Sequence, residues 1–311
     1  MGLVADVNLG SAVGRWTPEY LSSHAETASM RVSAHVFLHD KGLMDFVHKN
    51  FQFHTMPFAE LIQRCAGSTA LPPLIQSGER YYLRSIGKNP RKVQIPSRAA
   101  FFQLGDSLQE RAWIDETFPL LAEDLKLPGF VVQEHLFSTV LRVSSAHVQL
   151  WTHFDVMDNL LIQVTGTKTV RFWPPSADPC LYVTNSSSEV IDIEDPDLTK
   201  YPDFHDVQSM ELTLKPGDVL YIPALWFHNV KSESFAVSVN AFFRHLPVEF
   251  YDRRDLYGNR DPVAVQSASK FMASIFDSLS AVPDDFRRFY GDRLRRQLEQ
   301  FLATGDPREG R

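Results

Sequence analysis

The sequence predicts a mainly β fold, an antiparallel double sheet with flanking helices and a helical tail, and three observations carry that prediction. Between residues 139 and 243, short apolar runs alternate with Pro, Gly, Asn and Ser punctuation, the pattern of packed antiparallel sheets. Ahead of them Pro18 and Pro57 stand at the entrances of helical stretches, and beyond Pro262 the apolar spacing changes from period two to helical. With 311 residues, 44% hydrophobic and 12% aromatic, the chain can bury one large core.

Taken in order, Thr17 reads as a helix cap with Pro18 in the first turn, residues 31–36 as a strand, and residues 57–65 as a second helix. Pro72, Pro73 and Gly78 mark a loop, and residues 81–84 a strand. Residues 87–128 read as irregular, with Lys88, Arg91, Lys92 and Arg98 in a short basic run whose plain alternative is a solvated loop. Residues 139–143 form a strand carrying Arg142. Residues 159–164 and 168–173 read as the two arms of a hairpin turning at Thr165-Gly166-Thr167. Residues 190–197 are acidic but lack the glycine and spacing of a calcium loop, so they read as a surface excursion. Pro216-Gly217-Asp218 turns into the strand 219–222, and residues 235–243 alternate as a buried strand. Residues 263–279 and 284–302 read as two helices broken at Ala281-Val282-Pro283.

A net charge of −7 argues against a protein that coats nucleic acid through bulk charge and leaves a local basic patch as the route to RNA. Cys65 and Cys180 have no paired spacing, which indicates neither a disulfide framework nor a zinc site and fits a reducing compartment. There is no signal-peptide pattern and no apolar run long enough for a bilayer. Met1-Gly2 is followed by Asp6 where myristoylation wants Ser or Thr. The expectation is an intracellular, soluble protein, cytoplasmic or nuclear.

The chemistry centres on Leu150-Trp151-Thr152-His153-Phe154-Asp155, read with Trp226-Phe227-His228. His-x-Asp on a strand puts both side chains on one face. Alone, such a pair is usually accidental. With His228 it makes two imidazoles and one carboxylate, which leave three positions of an octahedral metal open, as in non-haem Fe(II) oxygenases. Zinc hydrolases use other sets. Lys168 is a compact point charge suited to the far carboxylate of a dicarboxylic cosubstrate such as 2-oxoglutarate, the plain alternative being an exposed lysine beside a turn.

His153-x-Asp155, Asn159, Lys168, the run Lys215-Pro216-Gly217-Asp218-Val219-Leu220-Tyr221-Ile222-Pro223 leading into Trp226-Phe227-His228, and Asn240 resemble the JmjC family of 2-oxoglutarate-dependent oxygenases. Within it, Tyr81-Tyr82-Leu83-Arg84-Ser85, residues 150–159, residues 222–230 and Tyr257-Gly258-Asn259-Arg260-Asp261-Pro262 resemble the small hydroxylases that act on the wybutosine precursor of tRNA. The resemblance covers nearly the whole chain. It implies a double-stranded β-helix, a jelly-roll or cupin-like JmjC barrel with its core at about 130–245, in a catalytic domain 1–262 followed by a helical dimerisation tail 263–311. It also implies Fe(II) at His153, Asp155 and His228; 2-oxoglutarate held by Tyr82, Asn159, Lys168 and Asn240; and dioxygen as the oxidant. The implied partners are phenylalanine tRNA and a second copy of the chain, with no membrane and no DNA; Arg84, Lys88, Arg91, Lys92 and Arg142 are the candidate RNA contacts, read from their charge alone.

Two alternatives stand beside this reading: a hydroxylase of protein side chains, and an inactive barrel that binds RNA or protein. The sequence departs from the family pattern at Leu150, where a Thr often precedes the first ligand His by three residues. It also begins in a strand-like apolar run where the family carries an earlier helix and strand, so this start reads as a fragment or an alternative start.

Overall fold

The computed structural model describes residues 2–5, 7–38, 42–87 and 111–305. The chain divides into two compact units, Met1–Glu249 with Arg253–Arg260, and Phe250–Asp252 with Asp261–Arg311. The first unit runs β1 (Gly2–Val4), α1 (Ala12–Arg15), α2 (Pro18–Ser23), α3 (Ala25–Ser29), β2 (Arg31–Phe37), β3 (Phe51–Pro57), α4 (Phe58–Cys65) and β4 (Arg80–Arg84). It continues with α5 (Ile114–Thr117), α6 (Pro119–Asp124), β5 (Leu136–Ser144), β6 (Asp158–Thr165), β7 (Lys168–Trp173), β8 (Val183–Thr184) and β9 (Ser187–Ser188). It closes with β10 (Met210–Leu214), β11 (Val219–Ile222), β12 (Phe227–Ser232) and β13 (Ala236–Phe243).

These strands form an eight-stranded sheet in the order β1-β11-β6-β13-β5-β4-β2-β3, a three-stranded sheet β10-β7-β12, and the small ladder β8-β9. The mainly β fold with flanking helices and a helical C-terminal stretch is the one the sequence predicts. Period-two alternation sorts the large sheet into two unlike faces. Leu141 and Val143, Leu160, Ile162 and Val164, and Val237 and Val239 belong to one apolar cluster with Trp16, Phe58, Leu61, Ile62, Phe118 and Leu121 of the helical layer. Each such fully buried side chain contributes about 1.5–3 kcal/mol. The residues between them, Arg142, Asn159, Gln163, Ser238 and Asn240, belong to the opposite face. There Leu161, Leu220 and Ile222 meet Val170, Phe172, Leu214 and Val230 of the small sheet and close one part of the barrel.

Local chemistry explains the layer over the outer face. The Thr17 hydroxyl accepts from the Tyr20 N–H at 3.3 Å, capping α2 with Pro18 at its start. Buried Asp124 at the end of α6 accepts from Ser11 Oγ at 2.9 Å, Arg15 Nη1 at 2.6 Å, Trp16 Nε1 at 3.2 Å and Tyr20 Oη at 2.6 Å, which ties the N-terminal helices to α6. The interval read as irregular between 87 and 128 therefore contains two helical turns, α5 and α6, each too short for periodicity to declare it.

The expected hairpin across Gly166 does not form. β6 pairs with β11 and β13 in the large sheet, whereas β7 pairs with β10 and β12 in the small one. The turn is a corner that carries the chain from one sheet to the other. A Cβ on Gly166, whose φ is +73°, would lie 2.0 Å from the Phe235 carbonyl oxygen, so the corner requires glycine.

In the second unit, α7 (Val263–Ser280) and α8 (Asp284–Thr304) are joined by a short turn, and α8 ends at Gly305 in the left-handed region with its N–H on the Phe301 carbonyl at 2.7 Å. Neither helix buries a residue. Among the described residues no helix is long and apolar enough to cross a membrane.

Candidate metal centre

His153 and His228 face each other across a narrow antiparallel bridge: the His153 N–H donates to the His228 carbonyl at 3.1 Å and the His228 N–H to the His153 carbonyl at 2.8 Å. Opposed residues of such a pair project to one side, and the ring centroids stand 4.3 Å apart. Asp155 follows on the same face, and the ligand atoms of His153, Asp155 and His228 all lie within 4.8 Å of one another. The turn before β12 is locked onto this segment. The Leu225 N–H donates to the Asp155 carbonyl at 2.8 Å, and the Ala224 N–H to Asp158 Oδ1 at 2.9 Å. Leu225 adopts φ 68°, a strained conformation for a branched residue, three positions from a ligand.

Hydrogen bonding fixes the state of both imidazoles. His153 Nδ1 lies 2.9 Å from the Trp151 carbonyl and His228 Nδ1 3.0 Å from the Trp226 carbonyl. A carbonyl only accepts, so each Nδ1 carries the proton and each Nε2 offers a lone pair to the centre. Burial pushes His153 down to about 4, with the neighbouring His228 adding to the effect, and burial lowers His228 as well. Both rings are neutral at neutral pH. The His228 Nε2 lone pair stands 3.6 Å from Asp155 Oδ2, a buried oxygen that has no hydrogen-bond partner. Two lone pairs and a carboxylate oxygen converging without a donor fit a divalent cation, with the backbone carbonyls orienting the ligands from behind.

The inner wall beside the triad is polar. Lys168, at the start of β7, is 3% exposed and donates to Ser238 Oγ at 2.6 Å. Desolvation, with the charge of Arg142 as a second cause, lowers its ammonium to about 7. Asn240 Nδ2 donates to Asn159 Oδ1 at 2.9 Å, leaving the buried Asn240 Oδ1 unpartnered. Asn240 sits on β13, between β5 and β6, and so satisfies no sheet edge. Tyr82 is buried and its hydroxyl accepts a hydrogen bond from Arg142 Nη1, which leaves the phenolic O–H free to donate. Leu150 is buried with Phe37, Met44, Tyr82 and Val148, an apolar wall at the position where the family pattern often carries a Thr.

Of the basic residues singled out in the sequence, Arg84 and Arg142 lie directly opposite each other on β4 and β5. Lys88, Arg91 and Lys92 lie outside the described residues. Sequence reasoning missed Ser238, which shares a strand face with Asn240 two positions away. It also missed Asn229, whose Nδ2 donates to the Leu150 carbonyl at 2.7 Å and to Thr152 Oγ1 at 3.1 Å and so steadies the segment leading into His153. A run of rings was missed too. Phe46 stacks on Trp151 with centroids 4.4 Å apart, and the Trp151 ring lies 5.3 Å from His153. Phe46 and Phe53 remain 41% and 58% exposed, so aromatic surface extends from solvent toward the ligands.

Residues 2–249 match the family model of the cupin-like domain. The chain is 42% identical over 288 residues to human tRNA wybutosine-synthesizing protein 5, an alignment covering 93% of this chain and 85% of that protein. It is 43% identical to the protein of the same name from Danio rerio, covering 93% of this chain and 82% of the relative. It is 32% identical to tRNA wybutosine-synthesizing protein 4 of Gibberella zeae, covering 95% of this chain but only 26% of that longer protein. The chain therefore belongs to the cupin-like, JmjC-type family, in the group that contains the vertebrate proteins named tRNA wybutosine-synthesizing protein 5.

Proposed function

We propose that this chain is an Fe(II)- and 2-oxoglutarate-dependent hydroxylase that acts on the amino-carboxypropyl side chain of the wybutosine precursor beside the anticodon of phenylalanine tRNA. The observation that carries the metal assignment is the pair of Nδ1–H tautomers, which aim two Nε2 lone pairs and the unpartnered Asp155 Oδ2 at one point. The role in wybutosine synthesis rests on the names of the relatives. When bound, iron and 2-oxoglutarate would supply with dioxygen the oxidation of a substrate C–H bond, with succinate and carbon dioxide as coproducts.

The rest of the work belongs to the protein's own side chains. His153, Asp155 and His228 hold the metal. Lys168, with Ser238 beside it, offers a buried cation to the far carboxylate of the cosubstrate, and the free O–H of Tyr82 can donate to the same group. Asn159 and Asn240 supply an amide pair whose remaining acceptor is unfilled. Leu150 and its apolar neighbours exclude water from one side. No side chain needs to act as acid or base. A base turned out of its stack would approach along the aromatic rings at Phe46 and Trp151, which offer flat faces to a planar ring.

The test is succinate release in the presence of Fe(II) and 2-oxoglutarate, with tRNA carrying the precursor compared with tRNA lacking it. The expected result is succinate that rises only with the precursor, together with a mass gain of one oxygen on the base. Succinate formed independently of tRNA would redirect the search to protein side chains. None under any condition would leave a binding module.

A further inference from the structure

Arg84 and Arg142 stand across the β4–β5 ladder from each other, an arrangement that like charges ordinarily disfavour. Both are half-buried, and among the described residues neither has a carboxylate partner. Arg84 Nη2 donates to the Tyr257 carbonyl at 3.0 Å, and the guanidinium lies 4.8 Å from the Tyr257 ring centroid. Tyr257 is itself fixed: the buried carboxylate of Asp255 accepts from the N–H groups of Tyr257 and Gly258 at 2.9 Å and of Arg260 at 3.0 Å. Arg142 donates to the Tyr82 hydroxyl, while its buried Nε–H finds no acceptor. The fold thus spends a loop and a phenol on holding two repelling cations in place.

Their position says what they face. Arg142 lies opposite Ser238, the hydrogen-bond partner of Lys168, on β13 and donates to the Tyr82 hydroxyl, and the charge of Asp155 acts on Arg84, so the pair borders the polar wall of the candidate centre. A phosphate on an RNA backbone stays outside such a wall. A side chain projecting from an inserted base does not.

We propose that Arg84 and Arg142 form a clamp for the carboxylate at the amino-acid-like end of the substrate's side chain, an assignment that rests on the hydroxylase reading above. Two guanidinium forks match the two oxygens of a carboxylate and would relieve both the mutual repulsion and the unpaired Nε–H. Held there, the carboxylate sets which carbon of the short chain lies nearest the metal, so the clamp determines both the choice of substrate and the position oxidised.

The experiment uses the full chain loaded with Mn(II) and 2-oxoglutarate. Binding is measured for precursor-bearing tRNA with its free carboxylate and for the same tRNA with that carboxylate methyl-esterified, and turnover is then measured with Fe(II). Wild type is expected to bind the acid about 10- to 100-fold more tightly than the ester. Arg84→Gln should bind both at the level of the ester, with 2-oxoglutarate affinity retained, and Arg84→Lys should recover part of the preference. Equal loss of acid and ester in Arg84→Gln, or a wild type indifferent to esterification, overturns the clamp. A wild type that prefers the acid but hydroxylates neither form overturns the hydroxylase reading and leaves the clamp standing.

Discussion

Lys168 gives the proposed cosubstrate site a pH dependence that can be worked out in advance. The ammonium is 3% exposed, has the Ser238 hydroxyl as its partner, and is brought from 10.5 to about 7 by desolvation first and by Arg142 second. At about 1.4 kcal/mol for each pH unit, keeping it charged inside the barrel costs on the order of 5 kcal/mol relative to water. An adjacent carboxylate favours the charged form and returns the group toward its ordinary value. Cosubstrate binding is therefore expected to take up a proton wherever the pH lies above about 7. With that midpoint, the protonated fraction falls from about nine-tenths at pH 6 to about one-tenth at pH 8, so the dissociation constant of 2-oxoglutarate should rise roughly tenfold over the interval. The metal ligands do not confuse the measurement, because burial keeps His153 neutral down to about 4.

The assay is calorimetric titration of 2-oxoglutarate into the Mn(II)-loaded protein between pH 6 and 8, in two buffers of different ionisation enthalpy. Buffer-dependent heat reports the proton taken up. Lys168→Met should weaken binding about 10- to 100-fold and flatten the pH profile. The same substitution should raise stability at neutral pH, because the folded value lies below the unfolded one: between about 7 and 10.5 the unfolded chain holds more protons. The contribution of Lys168 to stability thus increases as the pH rises through that window and is least favourable below it. A wild-type affinity independent of pH, without proton uptake, would refute the reasoning.

His153→Ala and Asp155→Ala should each weaken Mn(II) retention at least about 100-fold in equilibrium dialysis; full retention in either would remove that residue from the triad. Gly166→Ala drives a Cβ to 2.0 Å from the Phe235 carbonyl at a left-handed corner. It should cost roughly 2–4 kcal/mol and lower Tm by about 5–10 °C in a thermal melt, and an unchanged Tm would mean the corner does not need glycine. The uncovered apolar faces of α7 and α8, where Phe271 is 71% and Leu302 74% exposed, lead us to propose a homodimer through the tail. Sedimentation should give a dimer for the full chain and a monomer for a chain ending at Pro262, and an unchanged dimer would place the interface elsewhere.

Where one local pattern dictates one outcome, the sequence was readable. The Thr17-Pro18 cap, the Pro57 entrance to α4 and the alternation of β13 are set within a few residues, and the structure has all three. His153-x-Asp155 declared itself by residue type and spacing, although the segment makes only isolated bridges at His153 and not the strand the alternation argument assumed. The corner at Gly166 did not, because alternating strands around a glycine turn look the same whether the arms pair or part. What decides is the approach of Phe235, a contact from a distant segment. Ser238 lay hidden for the same reason: its role exists only once β13 is registered against β5 and Lys168 reaches over from β7. Arg84 and Arg142 looked like surface phosphate contacts because a sequence shows charge without showing register.

Register also accounts for how much positive charge the barrel keeps beside one carboxylate. On the outer face of the large sheet an unpaired charge would cost several kcal/mol with no return, and that face is apolar. The inner face instead carries Lys168, Arg142 and Arg84, which have no carboxylate partner among the described residues, while Asp155 is committed with two neutral imidazoles to a single point. Had stability alone shaped this wall, apolar residues of similar volume would serve better. An interior that holds cations apart from anions is prepared for anions brought from outside. Lys168 with its hydroxyl, and Arg84 opposite Arg142, supply cations that the anions of the two proposed ligands would match. A dicarboxylic cosubstrate and a substrate ending in a carboxylate bring those anions, whereas a neutral substrate would leave Arg84 and its fixed loop unexplained.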